Sequence, residues 1–128
     1  MANNSAARRV LVVDDERLIR WALAETLTER GYDVVQAGDG GAAVKAVSDG
    51  SQLPDVVLLD FRLPDSNDLG LLSTLRRLAP RARIILMTAF GTPEILHDAI
   101  DIGAYQVVNK PFKINEVATL VSEAISAG

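Results

Sequence analysis

"VVLLDFRLPD", residues 56–65, runs four aliphatic residues directly into an aspartate, Asp60. A parallel strand buried on both faces reads this way, because helices cover both sides of its sheet and the apolar/polar alternation disappears. The acid then emerges at the carboxyl edge of the sheet, where open α/β proteins keep their chemistry. The run begins at Asp55 as "DVVLLD", and four similar runs surround it: "VLVVD" (10–14), "YDVVQA" (32–37), "RIILMT" (83–88) and "YQVVN" (105–109).

Helical periodicity fills the intervals. Ile19, Leu23 and Leu27 recur at i, i+4 and i+8 within residues 17–30, and Gly31 follows as a helix-ending glycine should. Ala42, Ala43, Ala46 and Val47 mark a second helix, and Leu69, Leu72, Leu75 and Leu78 a third that stops before Pro80. Ile95, Ala99 and Ile102 mark a fourth, closed by Gly103, and Val117, Leu120, Val121 and Ile125 a fifth. Strands alternating with such helices imply right-handed crossovers and a single parallel sheet, an α/β class with helices on both faces.

A length of 128 residues suits one domain, expected to span 1–128 with its core at about 8–126. The chain is 48% hydrophobic with 5% aromatic residues, so the core is expected to be aliphatic. Its net charge of −4 argues against direct nucleic-acid binding by this domain. No cysteine is present, which excludes disulfides and thiolate metal sites. The start, "MANNSAARR", lacks the apolar core of a signal peptide, and no run approaches the ~18 apolar residues of a membrane span. A soluble, cytoplasmic location is the expectation, with no membrane partner.

The strand ends carry the chemistry. Asp14 and Asp15 (with Glu16 next) close the first strand, Asp60 the third, Thr88 the fourth, and Asn109-Lys110-Pro111 the fifth. In a doubly wound order such as 2-1-3-4-5, strands 1 and 3 are neighbours across the switch point, so their carboxylates cluster. Clustered carboxylates repel unless a cation sits among them. Hard oxygen ligands, few in number and leaving room for water and phosphate, suit Mg²⁺. With no cysteine and His97 the sole histidine, a softer metal has little to bind. A carboxylate can also attack phosphorus to give an acyl phosphate. Lys110 can then pair with a phosphoryl oxygen as a point charge, and the Thr88 hydroxyl can hydrogen-bond another.

"VVDDE", "LLDFRLPD", "MTAFG" and "NKPF", in this order at βα spacing, resemble the receiver domain of two-component response regulators, the CheY-like superfamily, over about residues 8–126. "DDERLIRWALAETL" and "LMTAFGTPE" look most like receivers of NtrC-type regulators. The resemblance implies a flavodoxin-like five-stranded sheet in the order 2-1-3-4-5 and a phosphorylation-dependent signalling switch rather than a turnover enzyme. Asp60 would accept phosphate from a sensor histidine kinase or phosphotransfer protein. Asp15, Asp60 and the backbone carbonyl of Arg62 would bind Mg²⁺ (or Mn²⁺), with Asp14 direct or through water. Thr88 and Lys110 would hold the phosphoryl group, and the Lys110–Pro111 bond would be cis. The fourth helix, fifth strand and fifth helix would form the output face, toward an unspecified output domain or target or a phosphorylation-dependent homodimer. Receivers usually carry an aromatic residue three places before the lysine. Here that place is Val107, and the aromatic residue is Tyr105, on the same strand face by period 2 but about 6–7 Å away.

Blander readings accompany these. Asp14 and Asp15 suit a helix N-cap, Thr88 a strand-end hydroxyl, and Lys110 a solvated loop. Each leaves the other members of the set unexplained. His97 reads as an ordinary surface residue of the fourth helix. Leu18 and Trp21 lie opposite Leu23 on the first helix, and either form a partner surface or lie along a neighbouring segment. Arg62 and Phe90, two places after Asp60 and Thr88, are expected to flank water's path to the acyl phosphate, with Ala89 leaving room for the phosphoryl group. The alternative function is a phosphatase of the haloacid-dehalogenase kind, which also uses an aspartate nucleophile and Mg²⁺ but resembles a D-x-D pattern, where Arg62 stands here. A third alternative, a flavodoxin-like nucleotide-binding module, is disfavoured because "DDER", and no Gly-rich phosphate loop, follows the first strand.

Overall fold

The computed structural model describes residues 7–49 and 53–127. The first six residues, read above for a leader, and the last residue of the expected 1–128 domain lie outside them. Five strands alternate with five helices: β1 (Arg9–Val13), α1 (Arg17–Glu29), β2 (Asp33–Ala37), α2 (Gly40–Ser48), β3 (Val56–Asp60), α3 (Gly70–Leu78), β4 (Arg83–Thr88), α4 (Pro93–Ile102), β5 (Gln106–Asn109) and α5 (Ile114–Ser126). The five strands pair in parallel, and the sheet runs β2-β1-β3-β4-β5.

The pleat sorts each strand's side chains between two cores. Val10, Val12, Val56, Leu58, Ile85 and Met87 pack with Leu23 and Leu27 of α1 and with Val117, Ala118, Val121 and Ala124 of α5. Leu11, Val13, Val57, Leu59, Ile84 and Leu86 face the other way, onto Ala43 and Val47 of α2, Leu72 and Leu75 of α3 and Ala99 of α4. Every residue of β3 is buried, which is why its sequence carries no alternation. Gly31, just past α1, has φ +94°, and Gly103, the C-cap of α4, has φ +127°, so both helices end on conformations that side chains rarely adopt.

Three details differ from the sequence reading. Leu69 is the N-cap of α3 rather than part of it, and Ala42 is exposed while Ala43 and Val47 carry the buried stripe of α2. Tyr105 precedes β5 and packs on the α1/α5 core, whereas Val107 packs on the α2/α3/α4 core. The two residues therefore do not share a face. Period 2 holds only inside the strand, and Tyr105 sits just outside it, in the turn leaving α4.

Candidate functional site

The carboxyl edge of the sheet assembles the side chains from four strand ends. Asp14 follows β1, its amide donating to the Ala37 carbonyl (3.1 Å), and its side chain is fully buried. One Asp14 oxygen accepts from the Glu16 amide at 2.9 Å, which pins the turn into α1. Asp60 ends β3 and is buried; its Oδ1 accepts from the Arg62 amide at 3.3 Å. Thr88 ends β4, also buried, and its Oγ1 accepts from the Phe90 amide at 3.0 Å. That bond uses a lone pair and leaves the hydroxyl proton free to donate into the cleft. Lys110 follows β5, its amide donating to the Thr88 carbonyl (2.8 Å), and the Lys110–Pro111 peptide is cis.

The Lys110 ammonium is the hub. Its Nζ lies 2.9 Å from Glu16 Oε1, 3.1 Å from Asp14 Oδ2 and 3.3 Å from Asp60 Oδ2. Asp15 is exposed, yet ligand oxygens of Asp14, Asp15 and Asp60 all lie within 4.8 Å of one another. An open cleft of ≈ 300 Å³ is lined by Asp15, Glu16, Asp60, Thr88 and Lys110, together with Arg62, Ala89 and Phe90. The Arg62 guanidinium carbon sits 4.5 Å from the centroid of the Phe90 ring, a cation–π contact beside the cleft.

Burial above all, and then the Asp14 charge, push the Asp60 carboxyl up to about 6, although Lys110 and the Arg62 amide oppose them. Burial works against the Lys110 charge, but the hydrogen bond to Glu16 and the Asp14 carboxylate outweigh it and raise that ammonium above its ordinary value. The site thus carries more negative charge than one ammonium balances. Three converging carboxylates with an open side are the donor set that a hard divalent cation takes, so the residues present fit such an ion.

The capping reading of Asp14 and Asp15 does not describe the molecule. Glu16 is the N-cap of α1, and it makes no side-chain cap bond. Three further residues at the carboxyl edge carry only faint sequence signals. Glu16 reaches Lys110, and the third acid of "DDE" was its sole hint. Arg20, one turn along α1, donates from Nη1 to the Asp14 carbonyl (2.7 Å) and from Nε to Gln36 (3.2 Å). Asp65, last residue of the opening decapeptide, accepts from the amides of Gly40 (2.8 Å) and Gly41 (3.0 Å) at the start of α2. Those two amides hold the Asp65 carboxyl below its usual range. Leu18 and Trp21 stand well into solvent at 81% and 60% exposure, and His97 is exposed.

Residues 10–122 match the family model described as response regulator receiver domain. The chain is 37% identical to the transcriptional regulatory protein PdtaR of Mycobacterium tuberculosis, over 98% of this chain and 60% of that protein, so it spans three fifths of that relative's length. It is 31% identical to chemotaxis protein CheY of Bacillus subtilis, over 94% of this chain and 99% of that one. Among solved structures, the receiver domain of NtrX from Brucella abortus superposes with a TM-score of 0.82 at 31% identity, over 93% of this chain and 99% of that one. The haloacid-dehalogenase alternative finds no support in these likenesses, and a guanidinium at position 62 stands where its second acid belongs. An acidic strand edge with a convergent lysine, on a fold matched over nearly all its length, leads to one assignment: the chain belongs to the response regulator receiver domain family.

Proposed function

We propose that the chain is a phosphorylation-dependent signalling switch in which Asp60 accepts a phosphoryl group from the phosphohistidine of a sensor kinase or phosphotransfer protein. The observation that carries the reading is the convergence of Lys110 Nζ on Asp60 and Asp14, beside the free Thr88 hydroxyl, at the mouth of one cleft. The carboxylates of Asp14, Asp15 and Asp60 and the carbonyl of Arg62 would hold Mg²⁺. That ion would supply charge neutralisation for the carboxylate and the incoming phosphoryl oxygens. Asp60 attacks phosphorus, the donor's P–N bond breaks, and Lys110 and Thr88 hold two phosphoryl oxygens. The protein supplies position and counter-charge, and little else is needed for this transfer.

In this reading the chain catalyses only its own phosphorylation and a slow hydrolysis. Neither Arg62 nor Phe90, which line the cleft beside Asp60, offers a lone pair with which to activate water. Phosphorylation draws the Thr88 hydroxyl inward and shifts the face made by α4, β5 and α5, toward an output domain, a target or a second copy of the chain. The likeness to the NtrX receiver supports an NtrC-type role. Leu18 and Trp21 are the surface offered to a partner. Among the described residues no helix is long and apolar enough to cross a membrane, in keeping with a cytoplasmic place of action for the single domain 1–128.

Acyl-phosphate lifetime tests the reading. Given a small acyl phosphate and Mg²⁺, the chain should take up one phosphoryl group per molecule and then release inorganic phosphate slowly. Continuous rapid release would mean a phosphatase instead.

A further inference from the structure

A lysine ammonium has three protons to donate and no capacity to accept. Those of Lys110 face three carboxylates, Glu16 nearest, then Asp14, then Asp60. Phosphorylation converts the Asp60 contact into one to a phosphoryl oxygen set farther out along the cleft, and Lys110 can follow it only as far as its two other carboxylates release it. Asp14 is fully buried and releasing it would strand a charge, whereas the Glu16 side chain is 57% exposed and is taken up by water on release.

The local geometry of Glu16 points the same way. It occupies the N-cap of α1, a position whose side chain normally accepts from the helix's first free amides. Glu16 makes no such bond. Its carboxylate instead spans 94 positions of sequence to the residue after β5. The Asp14 carboxylate, which accepts the Glu16 amide, and Arg20, which binds the Asp14 carbonyl and bonds the Glu16 carbonyl through its own amide, fix the backbone from which Glu16 reaches.

We propose that Glu16 is a charge latch: it holds Lys110 at the α1 rim of the cleft in the unphosphorylated chain and thereby disfavours the phosphoryl-bound state. The latch rests on the reading of Lys110 as a phosphoryl ligand. Glu16 acts through Lys110 and is a positioning residue, setting how readily the resting site is converted.

Beryllofluoride, a phosphoryl analogue, is titrated by calorimetry at saturating Mg²⁺ into wild type, Glu16→Gln and Glu16→Asp. Glutamine keeps the length and loses the charge; aspartate keeps the charge and loses the reach. Both variants should bind roughly two- to fivefold tighter than wild type, the span expected for loss of a solvent-exposed ion pair. Thermal melts accompany each, since aspartate at an N-cap should fold at least as well. Unchanged or weaker binding in both variants overturns the latch. Tightening in Glu16→Gln with wild-type binding in Glu16→Asp overturns it too, because the effect is then simple repulsion of an anion. If folded wild type binds no beryllofluoride at all, the phosphoryl-site reading fails and the latch with it.

Discussion

At the scale of single residues, Asp60 carries a cost that pH should expose. Below 3.8 the folded and unfolded chains both hold its proton, and the burial costs nothing. Between 3.8 and about 6 the unfolded chain releases the proton first, so stability falls as pH rises through this window and is then level. Asp60→Asn should therefore be more stable than wild type by up to about 3 kcal/mol near neutral pH without metal, and the gain should vanish near pH ~4. Denaturant titrations at the two pH values, in chelator and then in Mg²⁺, check this. Mg²⁺ should stabilise wild type more than the variant, and a gain independent of pH would contradict the charge model. The stacked Arg62 and Phe90 bear on a second quantity, the decay of the acyl phosphate. If the pair screens the bond from water, Arg62→Ala and Phe90→Ala should each decay severalfold faster at fixed Mg²⁺; unchanged decay in both would remove the screen. Asp14, Asp15, Asp60, Thr88 and Lys110 were legible because each ends an aliphatic run. Glu16 and Asp65 were not, because their partners lie in other crossovers, and Arg20 was not, because no local pattern announces its bonds to Asp14 and Gln36.

Elements explain what the residues cannot. α4 buries only Ala99 fully, yet its C-terminal end is tied down: Gly103 accepts from Arg76 of α3 at 3.3 Å through its carbonyl. A Cβ on Gly103 would meet Arg76 Cδ at 2.6 Å, on a backbone with φ +127°. Gly103→Ala should lower stability by roughly 1–3 kcal/mol, and a thermal melt with no loss would show that the α3–α4 tie is dispensable. The proposed output face is built from the same elements. Addition of beryllofluoride and Mg²⁺ should shift backbone amide signals across residues 88–108, and leave them in place in Asp60→Asn. Silence across that span in wild type would mean that α4 and β5 do not respond to the site. Strands and helices were readable here since apolar period and turn glycines agree, as at Gly31 and Gly103. The side of Tyr105 was not, because period 2 holds only within β5 and Tyr105 lies one residue before it.

For the whole molecule, the sheet order and the site are one fact. The order β2-β1-β3-β4-β5 sets β1 beside β3, which brings Asp14 and Asp15 to Asp60, and sets β4 between β3 and β5, which brings Thr88 to the cleft that Asp60 and Lys110 line. Sequence alone supplied the alternation of elements and the acids at their ends, while the long-range contacts that join them came from the crossover geometry. The central claim is that this edge makes Asp60 a phosphoryl acceptor, and mapping the modified residue tests it most directly. The chain is incubated with a small acyl phosphate with and without Mg²⁺, trapped by borohydride reduction of the acyl phosphate, digested and sequenced by mass spectrometry. The account predicts one modified residue, Asp60, dependent on Mg²⁺ and lost in Asp60→Asn. Modification at another residue, or none in folded wild type with Mg²⁺ present, would contradict it.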